Sequence, residues 1–299
     1  MYVFIVNPLA GKGQASQLWR ETERILQRRN IAYCARISSS EIEAQTFIAE
    51  QSQRYTVKAV AVIGGDGTTS SVIQSIATTP IALAILPAGS GNDTARMFRL
   101  TSNPEQFVDQ LLAHQLTTID LLHINDRFGI TVAGVGIDAM IGQRVNRSWY
   151  KPLLNKFGIG SFAYTIAAIL ELLSFQPFSS EVTVDDKRYS LNTAWLIACG
   201  NTSSYGGGLV VCPQALPTDG LFNLTLLHDV KRLKILTQLF PLLLRGQPIL
   251  RKGVTYIEGK ELVIETNRPI AVIIDGEIVT TTPLRITIHK QALKLIVTS

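Results

Sequence analysis

The sequence predicts an α/β domain with a parallel sheet followed by an antiparallel, β-sandwich-like domain, and three observations predict it. Short, fully apolar runs alternate with helix-period segments from Tyr2 to about Ile124, as in parallel strands covered on both faces by helices. From about Asn125 the alternation gives way to short strand-like runs separated by turn residues, the pattern of antiparallel strands. The length, 299 residues, suits two domains of roughly 150 residues each, and the boundary is placed between 124 and 125.

In chain order, residues 2–6 read as a buried strand and 7–13 as a loop. A helix follows from about Ser16, with Leu18, Trp19, Thr22, Ile25 and Leu26 on one face and Arg28 and Arg29 at the negative end of its dipole. Residues 33–37 form a second strand, Ser38-Ser39-Ser40 a helix cap, and 41–54 a second amphipathic helix. A third strand, 59–63, runs into Gly64-Gly65-Asp66-Gly67-Thr68 and a helix over 69–77. A fourth, 81–86, runs into Pro87-Ala88-Gly89-Ser90-Gly91-Asn92-Asp93, which opens another helix. Helix 104–115 and strand 117–124, containing Asp120, close the first domain. The second is read as strands at 128–133, 181–184, 193–199, 221–227, 256–265, 271–274, 284–289 and 293–297, interrupted by helices over 161–174 and 231–245.

Apolar content of 46% with 17% charged residues describes an ordered chain, not a disordered one. Cys34, Cys199 and Cys212 form no paired motif, so neither a disulfide framework nor a zinc site is expected, and a reducing cytoplasm fits. The four histidines show no metal-binding spacing. Residues 1–6 read as a first strand, not a signal peptide. The most apolar later stretches, 162–175 and 233–244, are interrupted by Glu171 and Pro241 and fall short of the ~20 residues of a spanning helix. The net charge of +5 is unevenly placed, with Arg144, Arg147, Lys151 and Lys156 in one group and Lys231, Arg232, Lys234, Arg245, Arg251 and Lys252 in another. Each group reads either as a solvated face or as a surface for an anionic partner. Nucleic acid is not expected as that partner.

The run Gly64-Gly65-Asp66-Gly67-Thr68 stands at the carboxyl end of a buried strand and before a helix, where glycine admits a close ligand and the helix dipole favours phosphate. Asp66 would repel that phosphate unless its charge is turned to a cation, a ribose or a water network. Loops that follow parallel strands share one edge, so those beginning at Asn7, Gly64 and Pro87 are expected to build one site. No Gly-x-x-x-x-Gly-Lys-Ser/Thr and no Gly-x-Ser-x-Gly occurs, which leaves P-loop and nucleophile-elbow chemistry unsupported. Gly134-Val135-Gly136-Ile137-Asp138-Ala139 fits a dinucleotide fingerprint but stands where the alternating units have ended, and is read as packing or a domain junction. Asp275-Gly276-Glu277 by itself is a hairpin turn. Tyr205-Gly206-Gly207-Gly208 is either a flexible turn or a close approach to ligand, and Pro217-Thr218-Asp219-Gly220-Leu221 is a turn entering a strand.

Taken in order, these motifs, with Asn7-Pro8, Asp120-Leu121 and Pro213-x-Ala215, resemble the bacterial diacylglycerol kinase and sphingosine kinase-like lipid kinases nearly end to end. The Gly-Gly-Asp-Gly-Thr run is shared with NAD kinases and 6-phosphofructokinases; the ordered set is far more specific. The resemblance implies ATP-dependent transfer of the γ-phosphate to a lipid hydroxyl, most simply diacylglycerol to phosphatidic acid, in a cleft between a nucleotide-binding α/β domain (1–124, rejoined by a strand at about 290–299) and a lipid-binding β domain (125–289). It implies nucleotide contacts from Asn7, Pro8, Leu9, Ala10, Gly11, Ser38, Gly65, Asp66, Gly67, Thr68, Thr69, Ser70, Ser71 and Ser90. It further implies an acidic network of Asp66, Asp93 and Asp120 with water and Mg²⁺, and a structural Mg²⁺ at Leu216, Asp219 and Leu221. Asp275 or Glu277 would be the general base on the lipid hydroxyl. The implied setting is the cytoplasm, peripherally at the inner face of the membrane with a bilayer lipid as substrate, and exposed strand edges in the second domain fit a homodimer.

One position departs from the family pattern. An Asn-Glu pair usually follows Gly-Gly-Asp-Gly-Thr two positions on, and here Ser70 and Ser71 stand there. Serine hydrogen-bonds but recruits no cation, so weaker nucleotide binding, altered nucleotide choice or a non-catalytic lipid- or nucleotide-binding homologue become alternatives, beside an NAD kinase-type phosphotransferase.

Overall fold

Strand β1 (Tyr2–Val6) is buried at all five positions and runs between two parallel neighbours, β2 (Tyr33–Ile37) and β3 (Ala59–Gly64). β4 (Ala82–Pro87) lies parallel to β3 on its far side. The structure is a computed structural model that describes residues 1–147, 162–245 and 248–297. It divides into two units, Met1–Leu121 with His289–Ser299, and Leu122–Ile288. In the first, Lys294 and Leu295 of the C-terminal strand pair in parallel with Ala82 and Leu83, so the end of the chain extends this sheet. Helices α1 (Gln14–Arg28), α2 (Glu41–Arg54), α3 (Asp66–Ile76), α4 (Asp93–Met97) and α5 (Pro104–Ala113) connect the strands. α1 buries Ala15, Trp19, Thr22, Ile25 and Leu26, with Trp19 against Phe4 at 5.3 Å between ring centroids. The Ser40 side chain accepts from the Glu43 amide to start α2, and the Asn103 side chain accepts from that of Gln106 to start α5. α5 ends at Ala113, because His114 takes a left-handed conformation. α3 begins at Asp66, not at Thr69 as the turn-like glycines predict; an extended Gly65 serves as the cap, so the motif is itself the helix's first turn. β5 (Leu116–Ile124) begins in this unit and runs past its boundary at Leu121.

The second unit is antiparallel. After β6 (Arg127–Gly129), β7 (Val132–Gly136) lies between β9 (Lys187–Gly200) and β15 (Ala271–Ile274). β9 also pairs with β8 (Phe178–Val184) and β12 (Phe222–His228), and β12 with β13 (Val254–Gly259). β14 (Glu261–Thr266) joins β8 to β17 (Leu284–Ile296), and β16 (Glu277–Thr281) pairs with β15. β10 (Ser204–Tyr205) and β11 (Leu209–Val210) form a small separate hairpin. Phe178, Phe222, Leu224, Leu262 and Ile286 fill the core. Helix α6 (Ile137–Arg147) follows β7, and Ile137 packs in a second cluster with Leu172 of α7 (Phe162–Ser174) and Ile235 and Leu239 of helical residues 232–244.

Two predicted elements change. The single strand expected over 256–265 is two, because Asp185 accepts from the Lys260 and Glu261 amides at the corner between β13 and β14. The strands expected at 284–289 and 293–297 are one, β17. The glycine fingerprint at Gly134 begins inside β7, whose partners are both antiparallel, in agreement with the reading that it is no dinucleotide-type βαβ unit. Lys151, Lys156 and Ser161 lie outside the described residues.

Candidate active site

In the first unit, the parallel strands put loops 7–13, 64–68 and 87–92 at one edge, and these loops lock together through backbone. Asn7 Nδ2 donates to Thr68 Oγ1 at 3.1 Å while Asn7 Oδ1 accepts from the Leu9 amide. The Asn7 amide itself bonds to Ile63 O, and the Ala88 amide to Gly64 O. The loops meet where only glycine fits. A Cβ on Gly11, whose φ is +58°, would lie 2.2 Å from Ala88 O, and one on Gly89 would lie 2.5 Å from Gly65 Cα. The Asn92 amide group closes the third loop, accepting from Gly89 N at 2.9 Å and donating to Gly89 O at 2.8 Å. Pro8, Leu9, Ala10 and Gly67 lie along these loops, and Ser90 is exposed at the tip of the third. Ser38 follows β2, its amide on Val6 O and its hydroxyl accepting from Ser40.

Asp66 is resolved by position. Its two carboxylate oxygens accept from the Asp93 and Thr94 amides at 3.1 and 3.2 Å, at the start of α4. Its charge is thus balanced by backbone donors of the neighbouring loop. Asp93 pairs with Arg96, which also donates to Gly91 O. The Oδ2 atoms of Asp66 and Asp93 border one spot, 2.8 and 3.6 Å from where a Gly91 Cβ would lie. Asp120 is buried and accepts from the Gln291 amide at 2.7 Å, tying down the returning C-terminal strand. Among the described residues no three Asp, Glu, His or Cys side chains converge to hold a metal directly. Of the three acids expected to form a network with water and Mg²⁺, Asp66 and Asp120 accept from backbone amides and Asp93 pairs with Arg96. Thr69 bonds back to Gly65 O. Ser70 and Ser71 are buried in α3, with Ser71 O accepting from Gln45 of α2 and Ser71 Oγ without a partner.

In the second unit, Asp275 and Gly276 both have positive φ (50° and 90°), forming the tight turn between β15 and β16. The Asp275 carboxylate, 4% exposed, accepts from the Ile130 and Thr131 amides and from the Thr131 hydroxyl, the last two at 2.8 and 2.7 Å. Glu277, two residues on, is exposed. The two acids that the sequence leaves equivalent are thus different: one is a buried tie, the other faces solvent. At the remaining predicted turn, the Leu221 amide donates to Asp219 Oδ1 at 2.9 Å, and Leu216 is exposed. A Cβ on Gly200, the cross-strand partner of Asn223, would lie 2.7 Å from Cys212 Cβ. The Asn223 side chain, two residues past Leu221 in the chain, is buried with neither its donor nor its acceptor bonded. The Asp219 carboxylate and the Leu216 and Leu221 carbonyls offer oxygen donors only, the set that a hard cation such as Mg²⁺ takes.

Asp138 is the site-like residue that motif reasoning passes over. Tyr205 OH donates to its Oδ2 at 2.9 Å and the Ala139 amide to its Oδ1 at 2.8 Å. Burial is the main cause that pushes its carboxyl up to about 6, opposed by those hydrogen bonds. A carboxyl raised on folding stabilises the fold below its unfolded value, and that contribution is lost as pH rises through about 6. Asp138→Asn is therefore expected to raise Tm relative to the natural chain at pH 7.5, with the difference shrinking towards pH 4; equal differences at both values would refute this. Two cations of the expected basic surface are engaged within the protein: Arg144 with Glu171, and Arg232 with Phe175 O and the Trp195 ring.

Residues 1–124 match the diacylglycerol kinase catalytic domain, and residues 131–297 the YegS C-terminal NAD kinase beta sandwich-like domain. The chain is 33% identical over 298 residues to a diacylglycerol kinase of Mycobacterium tuberculosis, covering 98% of this chain and 93% of that one. In fold it is similar to the crystal structure of a diacylglycerol kinase from Bacillus anthracis (TM-score 0.78, 21% identity, 99% of this chain and 96% of that one). A more distant likeness joins it to yeast NADH kinase complexed with NADH (TM-score 0.54, 9% identity, 100% of this chain and 84% of that one). With both domains matched in order and close sequence kinship running through each, the chain belongs to the diacylglycerol kinase family of lipid kinases.

Proposed function

We propose that the protein transfers the γ-phosphate of ATP to the hydroxyl of diacylglycerol, giving phosphatidic acid and ADP. The observation that carries this reading is the edge of three interlocked glycine loops, where Gly65 and Gly89 touch backbone to backbone beside the start of α3. Such an edge offers amides, not side chains, to a phosphate chain. Residues 7–11, 65–71, Ser38 and Ser90 contact the nucleotide in this proposal. The lipid oxygen bonds to the γ-phosphorus as the bond to the β-phosphate oxygen breaks, and the hydroxyl proton passes to the Glu277 carboxylate. Asp275 acts as a positioning residue, because its oxygens already accept from Ile130 and Thr131. Asp66, Asp93 and Asp120 would serve a hydrated Mg²⁺ through their acidic network, and Leu216, Asp219 and Leu221 would hold a structural one. When bound, Mg²⁺ neutralises phosphate charge. The enzyme meets its lipid peripherally at an anionic bilayer, aided by the exposed Lys231, Arg251 and Lys252; among the described residues no helix is long and apolar enough to cross one.

The test is incubation with radiolabelled ATP and diacylglycerol, a sphingoid base, a polyprenol or NAD. Label in phosphatidic acid is expected. Label in another lipid moves the substrate assignment, and label in NAD rejects it. Label in no product favours a non-catalytic homologue, the reading that Ser70 and Ser71 motivate.

A further inference from the structure

The Tyr205-Gly206-Gly207-Gly208 turn closes the hairpin of β10 and β11, with Tyr205 opposite Leu209. All three glycines have positive φ (64°, 89° and 100°), and a Cβ on Gly207 would meet nothing within 4 Å. Glycines fix little of a turn's course, so its anchors bear on where it sits. At one end the Asn201 and Thr202 amides both donate to Thr131 O. At the other, Tyr205 OH donates to Asp138. Residues 201–205 thus form a strap whose two anchor points flank a single strand, β7: Thr131 precedes it and Asp138 follows it. The second anchor is built for its purpose, since a Cβ on Gly134 of β7 would lie 1.6 Å from Asp138 Oδ2, and only glycine admits the carboxylate. The strand so held pairs with β15, Gly134 opposite Ile273 and Ala133 opposite Ile274, immediately before the Asp275 turn. Thr131 links strap and turn directly, because its carbonyl takes the strap's amides while its amide and hydroxyl hold the Asp275 carboxylate.

We propose that Tyr205 and Asp138 are positioning residues for phosphoryl transfer: their hydrogen bond fixes the strap along β7 and, through Thr131, sets the Asp275 turn that presents Glu277. The inference rests on the reading of Glu277 as the base. In the full-length enzyme at pH 7.5, Tyr205→Phe is expected to lower kcat for lipid phosphorylation roughly 10-fold to 100-fold with KM for ATP unchanged. Asp138→Ala should lose a similar factor, and the double variant no more than either single one. Asp138→Asn should restore most of the rate, because the Tyr205 hydroxyl can donate to, or accept from, an amide. A readout free of turnover is amide exchange: Ile130 and Thr131 should lose protection in Tyr205→Phe while β1 keeps its own. Full kcat in Tyr205→Phe, or losses that add in the double variant, overturns the proposal. If the natural chain phosphorylates no lipid alcohol, or Glu277→Gln is fully active, the base reading fails instead. Exchange then decides the strap alone, and unchanged protection at Ile130 and Thr131 overturns it.

Discussion

Glu277→Gln is expected to reduce kcat by about 10²–10⁴-fold, the usual contribution of a positioned proton acceptor, while ATP affinity stays at its natural value. The side chain is exposed on a turn whose geometry is set by Asp275 and Gly276, so the loss is expected to show in turnover far more than in Tm. Asp275→Asn should behave differently. An amide NH₂ in place of one carboxylate oxygen would face the Ile130 or Thr131 donors, and a buried donor left without an acceptor costs about 1–3 kcal/mol. Turnover and Tm should fall together. Steady-state kinetics, calorimetric ATP binding and a thermal melt on both variants separate the roles. A Glu277→Gln enzyme with natural kcat, or an Asp275→Asn enzyme with natural Tm, contradicts the division.

Gly89→Ala is the second substitution with a large expected effect. The new methyl group would lie 2.5 Å from Gly65 Cα and 2.9 Å from Asn92 Oδ1, and neither is the free end of a flexible chain. The third loop must swing away, taking with it the Asp93 and Thr94 amides that receive the Asp66 carboxylate. ATP affinity should weaken by about 100-fold or more, as displacement by around an ångström implies. Gly13→Ala is the control for loop glycines in general: a methyl group there meets nothing, although its φ of +94° carries a strain of its own. Titration calorimetry on both is the measurement. Equal affinity in Gly89→Ala and the natural chain would show that nucleotide does not bind at this edge.

Much of the architecture is legible in the sequence because its signals are local. Apolar runs such as Ala59–Gly64 announce buried parallel strands, and parallel strands place their following loops on one edge. What pattern reading misses is made of contacts far apart in the chain. Asp66 meets the Asp93 amide 27 residues away, Tyr205 meets Asp138 across 67, and Asp120 meets Gln291 across 171. No periodicity encodes such a pairing, so the sequence marks Asp66 as a carboxylate needing a partner without saying which. Asp138 is passed over for a related reason: its motif reads as packing or a domain junction, and its partner Tyr205 lies in a different turn. The earlier start of α3 has a simpler cause, since two glycines and an aspartate read as a turn even where they form a helix's first turn.

The return of the chain's last strand to β4 also bears on how the protein comes to be made. Lys294 and Leu295 complete an edge begun by Ala82 and Leu83, with Ala292 O receiving the Thr78 amide. During synthesis the first unit emerges early, yet β4 keeps a bare rim of amides and carbonyls until some two hundred further residues have left the ribosome. A product stalled before residue 294 would carry its glycine loops on an unfinished, adhesive sheet. The same arrangement is a safeguard, since the edge of β4 is covered only by residues made long after it.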